Sequence, residues 1–178
     1  MVATLDGRTF AGARDRAILL VGFSIGVRSA ELAALRLEDV RIVKRGAEVR
    51  IGRGKSDQEG RGRVIGVMRG KGALDAVGVL ESWLRRRGSA PGSLFDISPK
   101  WVWCVVKAAA AAAGLDAKRY GSHSLRAGMI TALDEAGVSL PSIMARSGHR
   151  SFDVVSRYVR RRDAFVADPL AKRTGTHR

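Results

Sequence analysis

The sequence predicts a mainly α (α+β) domain carrying a small three-stranded antiparallel β-sheet, and three observations lead there. Hydrophobic residues make up 46% of the chain but aromatic residues only 6%, so Ala, Val, Leu and Ile must fill the interior, a composition suited to packed helices. Helical texture occupies both flanks of the chain. Between Asp39 and Val67 it gives way to short β-branched segments broken by glycine, the pattern of strands and hairpins. At 178 residues the chain is long enough to bury a sizeable core in one domain, or in one domain and a small appendage.

Each element has a local reason. Arg14 to Ile25 carries the apolar run AILLVGFSI between the charged RDR and Gly26, which predicts a buried helix. Ser29 is placed to cap a second helix, SAELAALRLEDV, with Leu32, Ala33 and Leu35 inward and its end near Glu38. The segments VRIV, EVRI and RVIGV, separated by KRGA and GRGKSDQEGRGR, predict the three strands, with Lys55 near the tip of the second hairpin. Helices are expected at Ala73 to Arg87 and at Pro99 to Ala113, the latter including a run of six alanines and stopped by Gly114. Leu125, Met129 and Leu133 recur every four residues between His123 and Ala136, giving a helix with one buried side that Gly137 ends. Pro141 opens a short helix to about Ser147, and Ser151 caps another that contains Tyr158.

Charge narrows the partners. Thirty-two Lys and Arg against seventeen Asp and Glu give a formal charge of +15, which points to a polyanion. The excess is mostly arginine, whose planar fork holds phosphate oxygens in pairs. The single cysteine, Cys104, excludes an internal disulfide and a cysteine-based zinc site, and is expected to be a small buried hydrophobe. No run approaches the roughly 18 apolar residues of a membrane span, and the first twenty residues lack the pattern of a secretory signal. The expectation is a cytoplasmic, DNA-associated protein without a membrane partner.

Four local motifs follow one another: GVRSAEL with Arg28 and Glu31, a lysine in a hairpin loop, HSLRAG with His123 and Arg126, and SGHRSFDVVSRYVRR with His149 and Tyr158. Each pair three apart shares a helical face, so Glu31 can orient the Arg28 guanidinium. In this order and context the motifs resemble the tyrosine recombinase family, the phage-integrase-like site-specific recombinases, over nearly the whole chain from about Arg14 to Arg162. Lys55 is chosen for the hairpin position over Arg53, Arg61 and Arg63 because it is the only lysine in the loop. Ser147 stands where many family members carry leucine before Gly-His, a change read as lying outside the chemistry. Tyr120, the only other tyrosine, is read as structural, and His177 is given no role.

The resemblance implies a helical integrase-type catalytic domain over residues 1–162 and a C-terminal tail, 163–178, that packs in cis or onto a neighbouring protomer. It also implies that the N-terminal core-binding domain usual in the family is absent. Tyr158 would attack a scissile phosphodiester to form a 3′-phosphotyrosine, conserving bond energy without ATP, metal or cofactor. Arg28 and Arg126 would clamp the phosphate, with Glu31 supporting. Lys55 would protonate the leaving 5′-oxygen, His123 would help deprotonate Tyr158 or hold the phosphate, and His149 would donate to a non-bridging oxygen. The partners implied are double-stranded DNA and further copies of the chain, monomeric alone and assembled on DNA in a tetrameric synapse, for integration or excision. Two alternatives stay open: relaxation of DNA in the manner of a type IB topoisomerase, and a catalytically silent basic DNA-binding module.

Overall fold

The computed structural model describes residues 1–52, 62–149 and 151–156. Lys55 and Tyr158, like the tail beyond residue 162, lie outside the described residues. The elements run α1 (Phe10–Ile25), α2 (Ser29–Ala33), β1 (Val40–Val43), β2 (Gly46–Ile51), β3 (Arg63–Met68), α3 (Ala76–Arg87), α4 (Pro99–Ala112), α5 (Ser124–Glu135), α6 (Leu140–Ser147) and α7 (Phe152–Ser156). Short 3₁₀ turns at Val2–Thr4, Leu37–Asp39, Gly72–Leu74 and Ala117–Arg119 join them. The mainly helical domain with a three-stranded antiparallel sheet, in the order β1-β2-β3, is thus as the sequence predicts.

Helix α1 is the axis of the molecule. Ala13, Ala17, Ile18, Leu19, Leu20, Val21 and Ile25 are all buried, so α1 is apolar around most of its circumference, as a helix enclosed by others must be. It packs on α3, α4 and α5. Trp83 of α3 anchors the far side: its Nε1 donates to the Leu94 carbonyl at 2.9 Å, and its ring stacks on Phe95 and meets Phe10 edge-on. A second buried cluster, Met129, Ile130, Ile143 and Val155, joins α5, α6 and α7. In the sheet, Ala47, Val49 and Ile51 of β2 face inward with Ile65 and Val67 of β3, and the register pairs Val49 with Ile65 and Ala47 with Val67. That period of two commits one face to the core.

Several boundaries differ from the sequence reading, each for a capping reason. Helix α1 starts four residues before Arg14, because the Thr9 hydroxyl accepts the Gly12 N–H at 3.0 Å. The second helix ends at Ala33 rather than near Glu38, and Leu37–Asp39 is a separate 3₁₀ turn. Its cap position is Arg28, because Ser29 is buried and its hydroxyl donates to the Ser122 carbonyl at 2.9 Å. Helix α3 starts at Ala76, where Asp75 accepts from Val77 N–H. Cys104 is only half-buried, since the inward stripe of α4 is Val102, Val105, Val106, Ala109 and Ala110 and position 104 lies off it. Among the described residues no helix is long and apolar enough to cross a membrane.

Candidate active site

The site forms where the C-terminal end of α1 meets the starts of α2 and α5 and the end of α6. Gly26 closes α1 in the left-handed region, with φ +61° and its N–H donating to the Gly22 carbonyl, so the last carbonyls of the helix need donors from elsewhere. Two arginines supply them. Arg146 donates from Nε and Nη2 to the Ser24 carbonyl at 2.9 and 2.7 Å. Arg126 donates from Nη1 to the Gly26 carbonyl at 3.0 Å and to the Ser147 carbonyl at 2.5 Å. Cations at a helix C-terminus also oppose its dipole. Arg126 is therefore a strut between α1 and α6 as well as a charge, and it is only 6% exposed.

Its second terminal nitrogen faces the imidazole of His149, with Nη2 at 3.1 Å from Nδ1 and 3.0 Å from Nε2. His149 follows Gly148, which ends α6 at φ +71°, and this turn swings the ring back over the helix end. Burial, together with the charges of Arg126, Arg28 and Arg63, pushes the His149 pKa down to about 4, so the ring is neutral near pH 7.

Arg28 and Glu31 open α2. Glu31 accepts the backbone N–H of Arg28 at 2.8 Å, a reach-back from the third position of the helix that caps it. Its other oxygen lies 3.7 Å from Nη1 of Arg28, so the carboxylate orients the guanidinium as the spacing predicts. The Arg28 side chain is 42% exposed against 9% for Glu31, leaving the cation open to solvent above a buried anion.

A third arginine completes the group. Arg63, at the start of β3, lies 3.7 Å from Glu31 through Nη2, and its Nε and Nη2 are buried without a hydrogen-bond partner among the described residues. The sequence reading weighed Arg63 only as a rival to Lys55 and missed it as a member of the site. One signal was available. Arg63 has the same parity as Ile65 and Val67, the inward residues of β3, and a charge on the buried face of a strand needs a reason. Arg28 and Arg63 thus flank one carboxylate while Arg126 lies beside His149, so cations outnumber anions in this group. That arrangement suits a phosphate oxygen, because preorganised cations and N–H groups stabilise charge that develops in place.

Of the sequence-predicted residues, the structure brings together Arg28, Glu31, Arg126 and His149. His123 is the cap residue of α5, its side chain is exposed, and its carbonyl accepts the Ala127 N–H at 2.9 Å. The Ser29–Ser122 hydrogen bond ties the residue before it to the start of α2. Tyr120 packs against the main core, in keeping with a structural role. Lys55 and Tyr158 fall outside the described residues. Among the described residues no group of three or more His, Cys, Asp and Glu side chains could hold a metal ion.

Comparison with known proteins bears on the fold and the family. The family model described as the phage integrase family matches residues 1–164. The integrase/recombinase xerD homolog of Selenomonas ruminantium is 29% identical over 178 residues, covering 93% of this chain and 52% of that protein. The tyrosine recombinase XerA of Pyrococcus furiosus is 30% identical over 156 residues, covering 83% of this chain and 50% of its own. This chain thus spans about half the length of the curated relatives it matches. Among solved structures, the XerH site-specific recombinase bound to its difH substrate superposes with a TM-score of 0.73 at 21% identity, over 94% of this chain and 49% of that one.

Proposed function

The chain belongs to the phage integrase family, and on that premise we propose that it cuts and rejoins DNA in site-specific recombination through a 3′-phosphotyrosyl intermediate. One observation carries the reading: Arg28 and Arg63 flank Glu31, and their charges act together with that of Arg126 on a neutral His149. A phosphodiester carries one negative charge, and bringing it into this cluster supplies the acceptor that the buried N–H groups of Arg63 lack among the described residues. The local positive excess then falls on the non-bridging oxygens, where charge accumulates as a fifth oxygen approaches phosphorus.

In the proposed step the phenol oxygen of Tyr158 bonds to phosphorus as the bond to the 5′-oxygen breaks. The phenolic proton leaves with help from His123, and Lys55 delivers a proton to the departing 5′-hydroxyl, a contribution of about 10²–10⁴-fold for a positioned acid. One phosphate ester replaces another, so the reverse attack by a new 5′-hydroxyl needs no nucleotide hydrolysis. Arg28 and Arg126 hold the phosphate, Glu31 keeps Arg28 in place, Arg63 adds a third cation and His149 borders the same oxygen. Residues 1–162 form the catalytic domain in this reading, and 163–178 form a tail that docks in cis or on a neighbouring protomer. Double-stranded DNA is the partner, and a tetrameric assembly on it brings two sites together for exchange.

The test is covalent capture. Wild type and Tyr158→Phe are incubated in EDTA with a library of nicked duplexes of randomised sequence, and protein–DNA adducts are recovered under denaturing conditions. The wild type should give an adduct that protease reduces to a phosphotyrosyl peptide on a 3′ end, and Tyr158→Phe should give none. An adduct from the phenylalanine variant, or none from the wild type across the library, overturns the reading.

A further inference from the structure

Ser147 lies at the end of α6 with no exposed surface, and its hydroxyl meets three groups, the most distant being the Met144 carbonyl at 3.4 Å. It donates to the Ile143 carbonyl one turn back at 2.7 Å, and Nδ1 of His149 lies 2.8 Å from the same oxygen. A serine hydroxyl owns one hydrogen and two lone pairs. With that hydrogen directed at the Ile143 carbonyl, the short contact to Nδ1 is a hydrogen bond only if Nδ1 carries the proton. The neutral imidazole then has its lone pair on Nε2, the nitrogen 3.0 Å from Nη2 of Arg126, and a guanidinium can only donate. Nη2 of Arg126 also lies 3.1 Å from Nδ1 and so does not choose between the tautomers; the choice rests on the Ser147 hydroxyl, whose hydrogen is directed at the Ile143 carbonyl.

We infer that Ser147 is a positioning residue that fixes His149 as the Nδ1–H tautomer and turns its Nε2 lone pair to Arg126, so that the hydroxyl sets which ring nitrogen meets the phosphate. A residue without a side-chain hydroxyl here could not do this. The inference rests on the proposed phosphate site for its purpose, but not for its geometry.

His149 can donate from Nε2 to a phosphate oxygen only after Nε2 has taken a proton from solvent. The groups that oppose this proton are Arg126 on α5, Arg28 ahead of α2 and Arg63 on β3; Glu31 on α2, paired with the last two, offsets part of their charge. A bound phosphate neutralises more of it, so proton uptake at His149 should accompany DNA binding.

The deciding measurement is the ¹⁵N signature of the His149 ring in the DNA-free protein near pH 7, assigned by its loss in His149→Gln from among the three histidines of the chain. The wild type should show a protonated Nδ1 and an unprotonated Nε2. Ser147→Ala should lose the Nδ1–H signal and Ser147→Thr should keep it, with thermal unfolding confirming that each is folded. Adduct formation should slow in Ser147→Ala and recover in Ser147→Thr. A wild-type ring protonated at Nε2, or an unchanged signature in folded Ser147→Ala, overturns the inference whatever the DNA assay gives. Failure of adduct formation with the Nδ1–H signature intact would instead count against the proposed reaction.

Discussion

Arg63 lies directly over the backbone of Gly148: a β-carbon at position 148 would stand 2.7 Å from Nη1 and 2.8 Å from Cζ of that guanidinium. Glycine is needed there twice, because the residue also ends α6 at φ +71°, where a β-carbon costs about 1 kcal/mol. The Gly-His step thus lets the guanidinium of a β-strand approach the end of a helix that follows it by about eighty residues in the chain.

Gly148→Ala should therefore destabilise the domain by about 1–2 kcal/mol, the left-handed cost plus the displacement of Arg63. If the Arg63 contact is part of that cost, Arg63→Ala should make the same substitution cheaper. A double-mutant cycle by denaturant unfolding measures the coupling, and strict additivity would show the contact to be energetically silent.

Glu31 joins three groups, the Arg28 backbone N–H and the Arg28 and Arg63 guanidiniums. Glu31→Ala removes a helix cap and leaves Arg63 without a counter-charge in a half-buried setting, so a loss of about 2–3 kcal/mol is expected. Glu31→Gln keeps the acceptor for the backbone N–H and should lose about half as much. Urea unfolding distinguishes them, and equal losses would mean that charge rather than capping carries the effect.

His149 predicts a pH dependence of stability. Its folded pKa is about 4 against roughly 6.5 in an unfolded chain, so the unfolded state binds the extra proton between these values. Stability should thus be full above pH 6.5 and fall as pH drops toward 4, by about 1 kcal/mol after allowance for solvent screening. Thermal unfolding should show this slope in the wild type, and His149→Gln should be flatter over the same window. A slope that the variant leaves unchanged would assign the effect to carboxylates.

Much of the fold was legible in order along the chain. The apolar run of α1, the β-branched alternation of β2 and β3 and the four-residue spacing of α5 each report a face that must leave water, and that requirement acts within one element. Helix starts were less legible. Thr9 and Asp75 cap their helices through hydroxyl and carboxylate contacts three and two residues on, while Ser29, the better cap by residue type, is turned to Ser122 instead. Residue type offers a cap; the neighbouring element decides whether the side chain is free to act as one.

By itself, the sequence determined the family, the mainly helical class with its small sheet, the demand for a polyanion made by the +15 charge, and the residue types with which a phosphodiester can be cut through a tyrosine. Periodicity, charge and motif order are properties of neighbours along the chain, and they survive without coordinates. Only the tertiary structure decided that Arg126 is a strut on the carbonyls of α1 and α6 as well as a cation, that Arg63 stands over Gly148 beside Glu31, and that Ser147 orients the imidazole of His149. Each of these is a contact of a few ångströms, between residues far apart in the chain or folded back within a turn. Which buried donor meets which acceptor there is set by packing, because a group removed from water must find its partner among whatever the fold places beside it.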